Sequence, residues 1–231
     1  DAVYGALNPV QWPLARGAGS QRLLASGEFP TLDGRARMIP IQPAATVTAD
    51  AKRPLILNTG RLRDQWHTMT RTAKSPRLTA EATEPVIDIN PADAGNCALE
   101  EGALARIESD QGVLIARVHV TEAQSQGSLF APIHFSDRFA SDARVGSLIV
   151  PVCDPISGQP ELKQTPVSAI PFDAAWHGFA LSREPIEIIG ADWWARAQAA
   201  GHQHTEFAGN DVPEDWDLWA RSILGELHGG G

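Results

Sequence analysis

Residues 57 to 72 read Leu-Asn-Thr-Gly-Arg-Leu-Arg-Asp-Gln-Trp-His-Thr-Met-Thr-Arg-Thr, and their chemistry is that of a ligand holder. The apolar run Pro54-Leu55-Ile56-Leu57 has strand character and stops at Asn58-Thr59-Gly60. Behind it come Arg61, Arg63, Gln65, Trp66, His67, Thr68, Thr70 and Arg71, a dense series of guanidinium, amide, indole, imidazole and hydroxyl donors. A strand that ends in a Gly-containing turn and then presents such groups suits a large, polar, phosphate-bearing ligand, whose oxygens need many fixed donors. Gly60 lets a backbone approach closely, Thr59 and Thr68 supply hydroxyls, and Arg61 supplies a bidentate fork. Trp66 and His67 supply flat faces and nitrogen donors, while Arg63 has Asp64 beside it as an alternative partner. The competing reading is a solvated basic loop, with a core Trp and an ordinary surface His.

Two further stretches accompany this segment in order: Gln11-Trp12-Pro13 with Asp33-Gly34-Arg35-Ala36 upstream, and Asp154-Pro155-Ile156-Ser157-Gly158-Gln159-Pro160-Glu161-Leu162-Lys163 downstream. Over roughly the first three quarters of the chain, the combination resembles the C-terminal domain of molybdopterin-guanine-dinucleotide oxidoreductases, and most of all that of assimilatory nitrate reductases. The resemblance implies a double-psi β-barrel and, in the full enzyme, molybdenum bis(molybdopterin guanine dinucleotide) as cofactor. It implies cofactor contacts from Thr59, Gly60, Arg61, Arg63, Gln65, Trp66, His67 and Thr68. Lys163 stands where the family places a cofactor-contacting Lys after the Asp-Pro-x-Ser turn, the alternative being a solvent-facing Lys. Gly146 stands where many relatives have an Asn, so a side-chain amide contact is missing there, with the Gly146 backbone or Ser147 as substitutes. Phe130, Pro132 and His134 fall in a segment that in relatives approaches the cofactor cavity. For His134 a satisfied structural role competes with that reading.

No residue of this chain is expected to be catalytic or to ligate metal. The two cysteines, Cys97 and Cys153, lack Cys-x-x-Cys spacing and cannot build an iron–sulfur cluster, which the resemblance puts outside this chain. His202-x-His204 with Glu206 lacks a third ligand at firm spacing and reads as a surface loop. The sequence starts at Asp1 without Met, so the expectation is a C-terminal piece of a longer catalytic subunit, inactive alone. Its expected partners are the N-terminal catalytic region of the same polypeptide and the electron donor of the full enzyme. In that enzyme the resemblance implies reduction of nitrate to nitrite by oxygen-atom transfer. Two other readings stand beside this one: the same domain of a formate dehydrogenase or another molybdenum or tungsten oxidoreductase, and a docking module that binds a partner through its Trp-rich tail without cofactor.

Composition narrows the partners. With 19 Lys and Arg against 28 Asp and Glu, the 231 residues carry a formal charge of −9, which argues against nucleic acid and against a polybasic membrane contact. Hydrophobic residues make up 43% of the chain, enough for one good core and a small second unit. No stretch reaches the roughly 18 to 20 apolar residues that span a bilayer. Two cysteines form no disulfide framework, in keeping with a cytoplasmic location.

The elements that must position the donors follow from patterning. Residues 1–50 are rich in Gly, Pro and Ala and read as a connector, with a turn at Thr31-Leu32-Asp33-Gly34 and Phe29-Pro30 as a docking point. Residues 51–171 carry β signals at 54–57, 85–89, 103–108, 113–121, 128–135 and 147–152, with Gln111-Gly112 as a turn and Asn90-Pro91 opening a short helix. Many short strands with few helices predict a compact barrel. Beyond Pro171, Trp193, Trp194, Trp216 and Trp219 accumulate; Asp192–Ala200 and Pro213–Leu227 are expected to be helical. The predicted class is therefore mainly β with some α: a double-psi β-barrel over 51–171 and a small α-rich C-terminal appendage over 172–231.

Overall fold

Leu55, Leu57 and Thr59 are buried while Ile56, Asn58 and Gly60 are less so, the period-2 pattern of a strand with one face on a core. This strand, β1 (Leu55–Gly60), belongs to a closed six-stranded barrel. The others are β2 (Val86–Ile89), β3 (Leu104–Glu108), β4 (Val113–Val120), β5 (Ser128–Pro132) and β6 (Thr165–Pro171), in the spatial order β1-β5-β2-β4-β3-β6. The computed structural model describes residues 2–6, 8–9, 22–40, 42, 47–199 and 201–224. Gln11-Trp12-Pro13 lies outside them.

The chain divides into two units, Asp1–Ala45 and Thr46–Gly231. In the first, α1 (Ala2–Gly5) is a single turn, and the predicted turn at 31–34 is present. There the Phe29 N–H donates to the Gly34 carbonyl at 2.9 Å, and the Asp33 carboxylate accepts from Thr31 Oγ1 at 3.1 Å and from the Arg35 N–H at 3.2 Å.

In the second unit the barrel mixes parallel and antiparallel pairs. β1 runs parallel to β5, with Gly60 opposite Pro132, and β2 runs parallel to β4. Parallel neighbours need crossover connections. Among these connections are α2 (Pro76–Thr79) and α3 (Pro91–Asn96), the latter capped as expected by Asn90, whose side chain accepts the Ala92 N–H at 3.0 Å. The antiparallel β3 and β4 join through the Gln111-Gly112 turn.

β6 is a correction to the sequence reading, which placed the last barrel strand at 147–152. Val145–Leu148 is instead a 3₁₀ turn whose Val145 and Leu148 plug the barrel interior. The closing strand contains Pro166 and Pro171, and proline inside a run normally argues against a strand. Here Thr165 to Val167 pair only with β1 and Ser168 to Pro171 only with β3, so each proline has a strand on one side.

Two cores share the barrel wall. Leu114, Ala116 and Val118 of β4 point into the barrel with Leu57, Ile107 and Leu129, while Ile115 points outward into a second cluster with Leu104, Met69, Phe135 and Trp193. The apolar run Val113-Leu114-Ile115 therefore fails to alternate because both of its faces are covered.

The second core is closed by a three-stranded antiparallel sheet, another correction. Asp192–Ala200 was expected to be helical; Trp193–Ala199 is β8, paired with β9 (His202–Gly209), and β7 (Trp176–Ser182) lies on the other side of β9. The alanine content of Trp193-Trp194-Ala195-Arg196-Ala197-Gln198-Ala199 favours helix, but Trp193, Ala195 and Ala197 are the buried positions, a strand period. Helix α4 (Trp216–Leu224) is present, and its Trp216 and Trp219 meet Trp176 edge to face at 5.5 and 5.0 Å. Sheet and barrel are also tied by Arg117 of β4. Its guanidinium donates to Glu84 at 2.9 Å and to Glu206 of β9 at 2.7 Å, and lies 5.4 Å from the Trp193 ring centroid. Burial pushes the Glu84 carboxyl up, against the opposing pull of Arg117.

Replacing Trp193 by Ala is expected to lower stability by about 3 to 5 kcal/mol, the cost of emptying an aromatic site in a core. Urea unfolding of the two proteins measures it; a change under 1 kcal/mol would show that the second core does not depend on this ring.

Candidate functional site

The donor-rich segment leaves the barrel at the end of β1, and the strand register decides what stands beside it. Because β1 and β5 are parallel with Gly60 opposite Pro132, the residues that follow each strand emerge side by side. The Ile133 N–H donates to the Gly60 carbonyl at 2.9 Å. One step further, Leu62 faces His134. The Leu62 N–H donates to His134 Nε2 at 2.9 Å, and His134 Nδ1 meets the His67 carbonyl at 2.5 Å. An amide can only donate and a carbonyl can only accept, so His134 is the neutral tautomer with its proton on Nδ1. Its side chain is fully buried and clamps residues 62 and 67 to each other, which realises the structural alternative for this residue.

The clamped loop holds backbone that L-residues avoid. His67 and Met69 have φ of 42° and 59°, each costing on the order of 1 kcal/mol or more. Three things offset that strain: the His134 bonds, the Met69 N–H donating to the Trp66 carbonyl at 2.8 Å, and the Met69 side chain, buried in the second core. Gln65 adds a fourth. It is buried, its Nε2 donates to the Leu78 carbonyl at 2.7 Å, and its Oε1 accepts from Thr72 Oγ1 at 2.6 Å.

On the other flank of β1 runs the antiparallel β6, with Leu57 opposite Thr165. Continuing that register brings residues 162 and 163 to Thr59. Thr59 Oγ1 donates to the Leu162 carbonyl at 2.8 Å, and Lys163 Nζ donates to the Thr59 carbonyl. The approach to Lys163 is a hairpin whose turn is set by Asp154: its carboxylate accepts from the Ile156 and Ser157 N–H groups at 3.0 and 2.7 Å and from Ser157 Oγ at 2.9 Å. These bonds from Ser157, first its backbone and then its hydroxyl, hold the Asp154 carboxyl below its ordinary value.

The predicted residues therefore separate. Arg61, Trp66, His67 and Thr68 are exposed on the loop surface; Trp66 keeps 60% of its area open, with His67 edge-on at 4.5 Å and the Arg61 guanidinium 5.3 Å from its ring centroid. Among the described residues neither Arg61 nor Arg71 has a carboxylate partner. Arg63, in contrast, forms a two-point pair with Asp64 at 3.0 and 2.9 Å and reaches Glu81 at 3.5 Å, the alternative that its neighbour suggested. Thr59 and Gln65 face inward. Gly60 is required by packing: a β-carbon there would meet the Phe130 ring at 2.6 Å. Gly146 lies on the exposed 3₁₀ turn with open space at its missing β-carbon, so the backbone admits an asparagine. Ser147 does not stand in for one, since its hydroxyl already points to the carbonyls of Arg144 and Val113 at 2.7 and 3.1 Å. Glu206, of the His202-x-His204 pattern, is taken by Arg117, and among the described residues no group of three His, Cys, Asp or Glu is arranged to hold a metal.

Sequence reasoning missed the anchoring role of Met69, although a lone apolar residue inside a polar run was a signal. The Leu162 carbonyl carried no signal. Beside Leu62 and Phe130 lies a cleft of about 410 Å³, but Glu81, Asp88 and Glu101 line it against one guanidinium, that of Arg117, which Glu84 and Glu206 already engage, so the balance of its charge opposes an anionic ligand. The anion-receptive chemistry is on the loop.

A closed barrel that presents an internally braced loop of uncompensated cationic and aromatic groups defines a ligand-clamping domain. Residues 55–166 match the family described as the molydopterin dinucleotide binding domain. The chain is 44% identical over 215 residues to a nitrate reductase of Klebsiella oxytoca, a match that covers 93% of this chain and 24% of that protein. A nitrate reductase of Shewanella frigidimarina is 32% identical over 218 residues, covering 83% and 23%. The F420-dependent formate dehydrogenase subunit alpha of Methanocaldococcus jannaschii is 31% identical over 159 residues, covering 68% and 23%. Among solved structures, acetylene hydratase from Pelobacter acetylenicus aligns with a TM-score of 0.45 at 20% identity, over 51% of this chain and 18% of that one. Residues 55–166 of the chain belong to the molybdopterin dinucleotide binding family. The chain spans about a quarter of the length of the relatives it matches.

Two outcomes test this geometry. His134→Phe keeps the ring shape but leaves the Leu62 N–H and His67 carbonyl unpaired, and is expected to cost about 2 to 4 kcal/mol and to accelerate amide exchange across residues 62–69; exchange unchanged from the native protein would dissociate the loop from this imidazole. For Asp154, the depressed carboxyl makes the 154–157 turn contribute stability that is complete above an ordinary carboxylate value of about 4 and is lost as pH falls through the lower folded value. Protection of the Ser157 amide, its exchange measured relative to the intrinsic rate at each pH, should therefore fall on acidification in the native protein and be absent at every pH in Asp154→Ala.

Proposed function

We propose that this chain clamps one face of the molybdenum bis(molybdopterin guanine dinucleotide) cofactor in an assimilatory, cytoplasmic nitrate reductase. The observation that carries the proposal is the 44% identity extending over 93% of the chain to a nitrate reductase, against 31% over 68% to the formate dehydrogenase subunit. The loop fits the group. Arg61 and His67 offer donors to phosphate or to polar ring edges, the open face of Trp66 suits a fused ring, Thr68 adds a hydroxyl, and Lys163, with one proton directed to Thr59, has two ammonium protons left. Thr59, Gly60, Gln65 and Arg63 support these groups rather than meet the ligand directly, and Gly146 leaves its corner to the backbone.

When bound, the cofactor would supply the redox chemistry that converts nitrate to nitrite; this chain's residues bind and orient it. The iron–sulfur cluster and the residues around the metal belong to the N-terminal catalytic region of the same polypeptide, which is the proposed principal partner, together with the electron donor. No nucleic-acid or membrane partner is proposed; among the described residues no helix is long and apolar enough to cross a membrane. The isolated chain is inactive toward nitrate and binds free cofactor weakly, because part of the binding surface is elsewhere.

Metal and pterin analysis of the parent polypeptide, native and with Arg61→Ala and His67→Ala together, tests the assignment. Molybdenum and guanine dinucleotide content should fall together by about tenfold or more, the scale of one or two charge-assisted hydrogen bonds, with nitrate turnover falling in step. Full retention in the double variant would make the loop structural, and formate turnover without nitrate turnover would transfer the domain to the other enzyme class.

A further inference from the structure

A separate cavity of about 120 Å³ opens where the chain leaves the donor-rich loop and passes the C-terminal sheet. Its walls include Thr70, Lys74, Arg138, Arg196, Gln198 and Gln203, and no Asp or Glu lines it. Three cations around one small space, in a chain of net charge −9, are an arrangement that folding by itself does not favour.

Arg196 is the cation whose place in this wall is most firmly set. Its guanidinium is fixed at two points: Nη2 donates to the Ile186 carbonyl at 2.7 Å, and the plane lies 4.4 Å from the Trp194 ring centroid. Its Nε is buried and has no acceptor. Burial pulls this guanidinium below its ordinary value, with no carboxylate nearby to reverse the effect. Arg138 is brought to the same wall by strand-like pairing, since the Arg196 N–H donates to the Phe139 carbonyl at 2.7 Å and Ala140 bridges Ala195. The acidic residue beside Arg138 in sequence, Asp137, is paired with Arg144. Among the described residues neither Lys74 nor Arg138 has an acidic partner. Gln203 donates to Gln198, whose own amide donates to the carbonyls of Ala199 and His202 at 3.2 Å. The Gln198 carboxamide is therefore held away from Arg196 Nε.

We infer that this cavity, between the 69–74 segment and β8–β9, is a binding site for a small inorganic oxyanion, held by the charged groups of Arg196, Lys74 and Arg138 that line it. Size decides the class. Pockets for drug-sized or cofactor ligands run to about 300 Å³ and above, whereas a single water needs on the order of 10 to 15 Å³, so this space admits a four- or five-atom ion and excludes a heterocycle. The proposal is independent of the cofactor reading, since none of Lys74, Arg138 and Arg196 belongs to the proposed clamp. An ion here braces the exit of the loop, because Met69 and Thr70 form part of the same wall.

The test is titration of the 231-residue chain with sodium sulfate, sodium phosphate and sodium nitrate, each against sodium chloride at equal ionic strength, followed by calorimetry and by the Arg196 Nε–H resonance. At least one oxyanion should bind saturably at one site and shift that resonance, while chloride does not. Lys74→Ala with Arg138→Ala, two exposed positions whose loss leaves the fold intact, should weaken that binding about tenfold, the scale of one charge-assisted hydrogen bond. Crystals grown with selenate should show the anomalous peak inside the cavity, among Lys74, Arg138 and Arg196. Non-saturating effects equal to those of chloride, affinity unchanged in the double variant, or a cavity that holds only water in the selenate crystals would each overturn the proposal. Loss of cofactor from the parent polypeptide in Arg61→Ala with His67→Ala leaves this outcome untouched, so the two readings fail separately.

Discussion

The parallel pairing of β1 with β5, with Gly60 opposite Pro132, is the constraint from which the site follows. Parallel neighbours send their following residues off the same rim of the barrel. Leu62 and His134 therefore meet, and a buried neutral imidazole with one donor and one acceptor joins two backbone groups five residues apart. A residue with only a donor or only an acceptor satisfies one of them and strands the other in a water-free interior. The segment around those points carries left-handed backbone at His67 and Met69, and this bracing holds it with Arg61, Trp66 and His67 outward.

The antiparallel neighbour β6 does the complementary work on the other flank. Through it Lys163 and the Leu162 carbonyl arrive at Thr59, so the upstream and downstream segments of a site separated by about a hundred residues in sequence are joined by two hydrogen bonds. The tail has its part as well. Trp193 fills the second core against Met69, which fastens the far end of the donor loop, and Arg117 links the same sheet to the barrel through Glu84 and Glu206. The Trp-rich segment is thus a wall of the domain that supports the loop from behind.

Charge is sorted locally on an acidic body. Arg63 is neutralised by Asp64 and Glu81, and Arg117 by Glu84 and Glu206, both in structural roles. Among the described residues Arg61, Lys74, Arg138 and Arg196 are cations without a carboxylate partner. Cations that folding does not compensate are available to anionic ligands, and these four stand on the open loop surface and around a small cavity.

Much of the barrel was legible in the sequence because its information is local. Short β-prone runs bounded by turn residues located five of the six barrel strands, Gln111-Gly112 located a turn, Asn90 before Pro91 located a helix start, and the cation-rich run after Gly60 located the candidate site. The rest depended on partners far away in the chain. β6 carries two prolines that are tolerated only because each meets a strand on one side, β8 reads as an alanine-rich helix until the barrel wall selects its period-2 face, and the run 113–115 shows no alternation because both of its faces are buried. Within the site, the residue types that can hold an anion were fixed by sequence alone. Which of them face outward was not: Gln65 and Thr59 turn inward and Arg61 and Trp66 outward because strand register and the buried imidazole, properties of the closed barrel, determine where each backbone position stands.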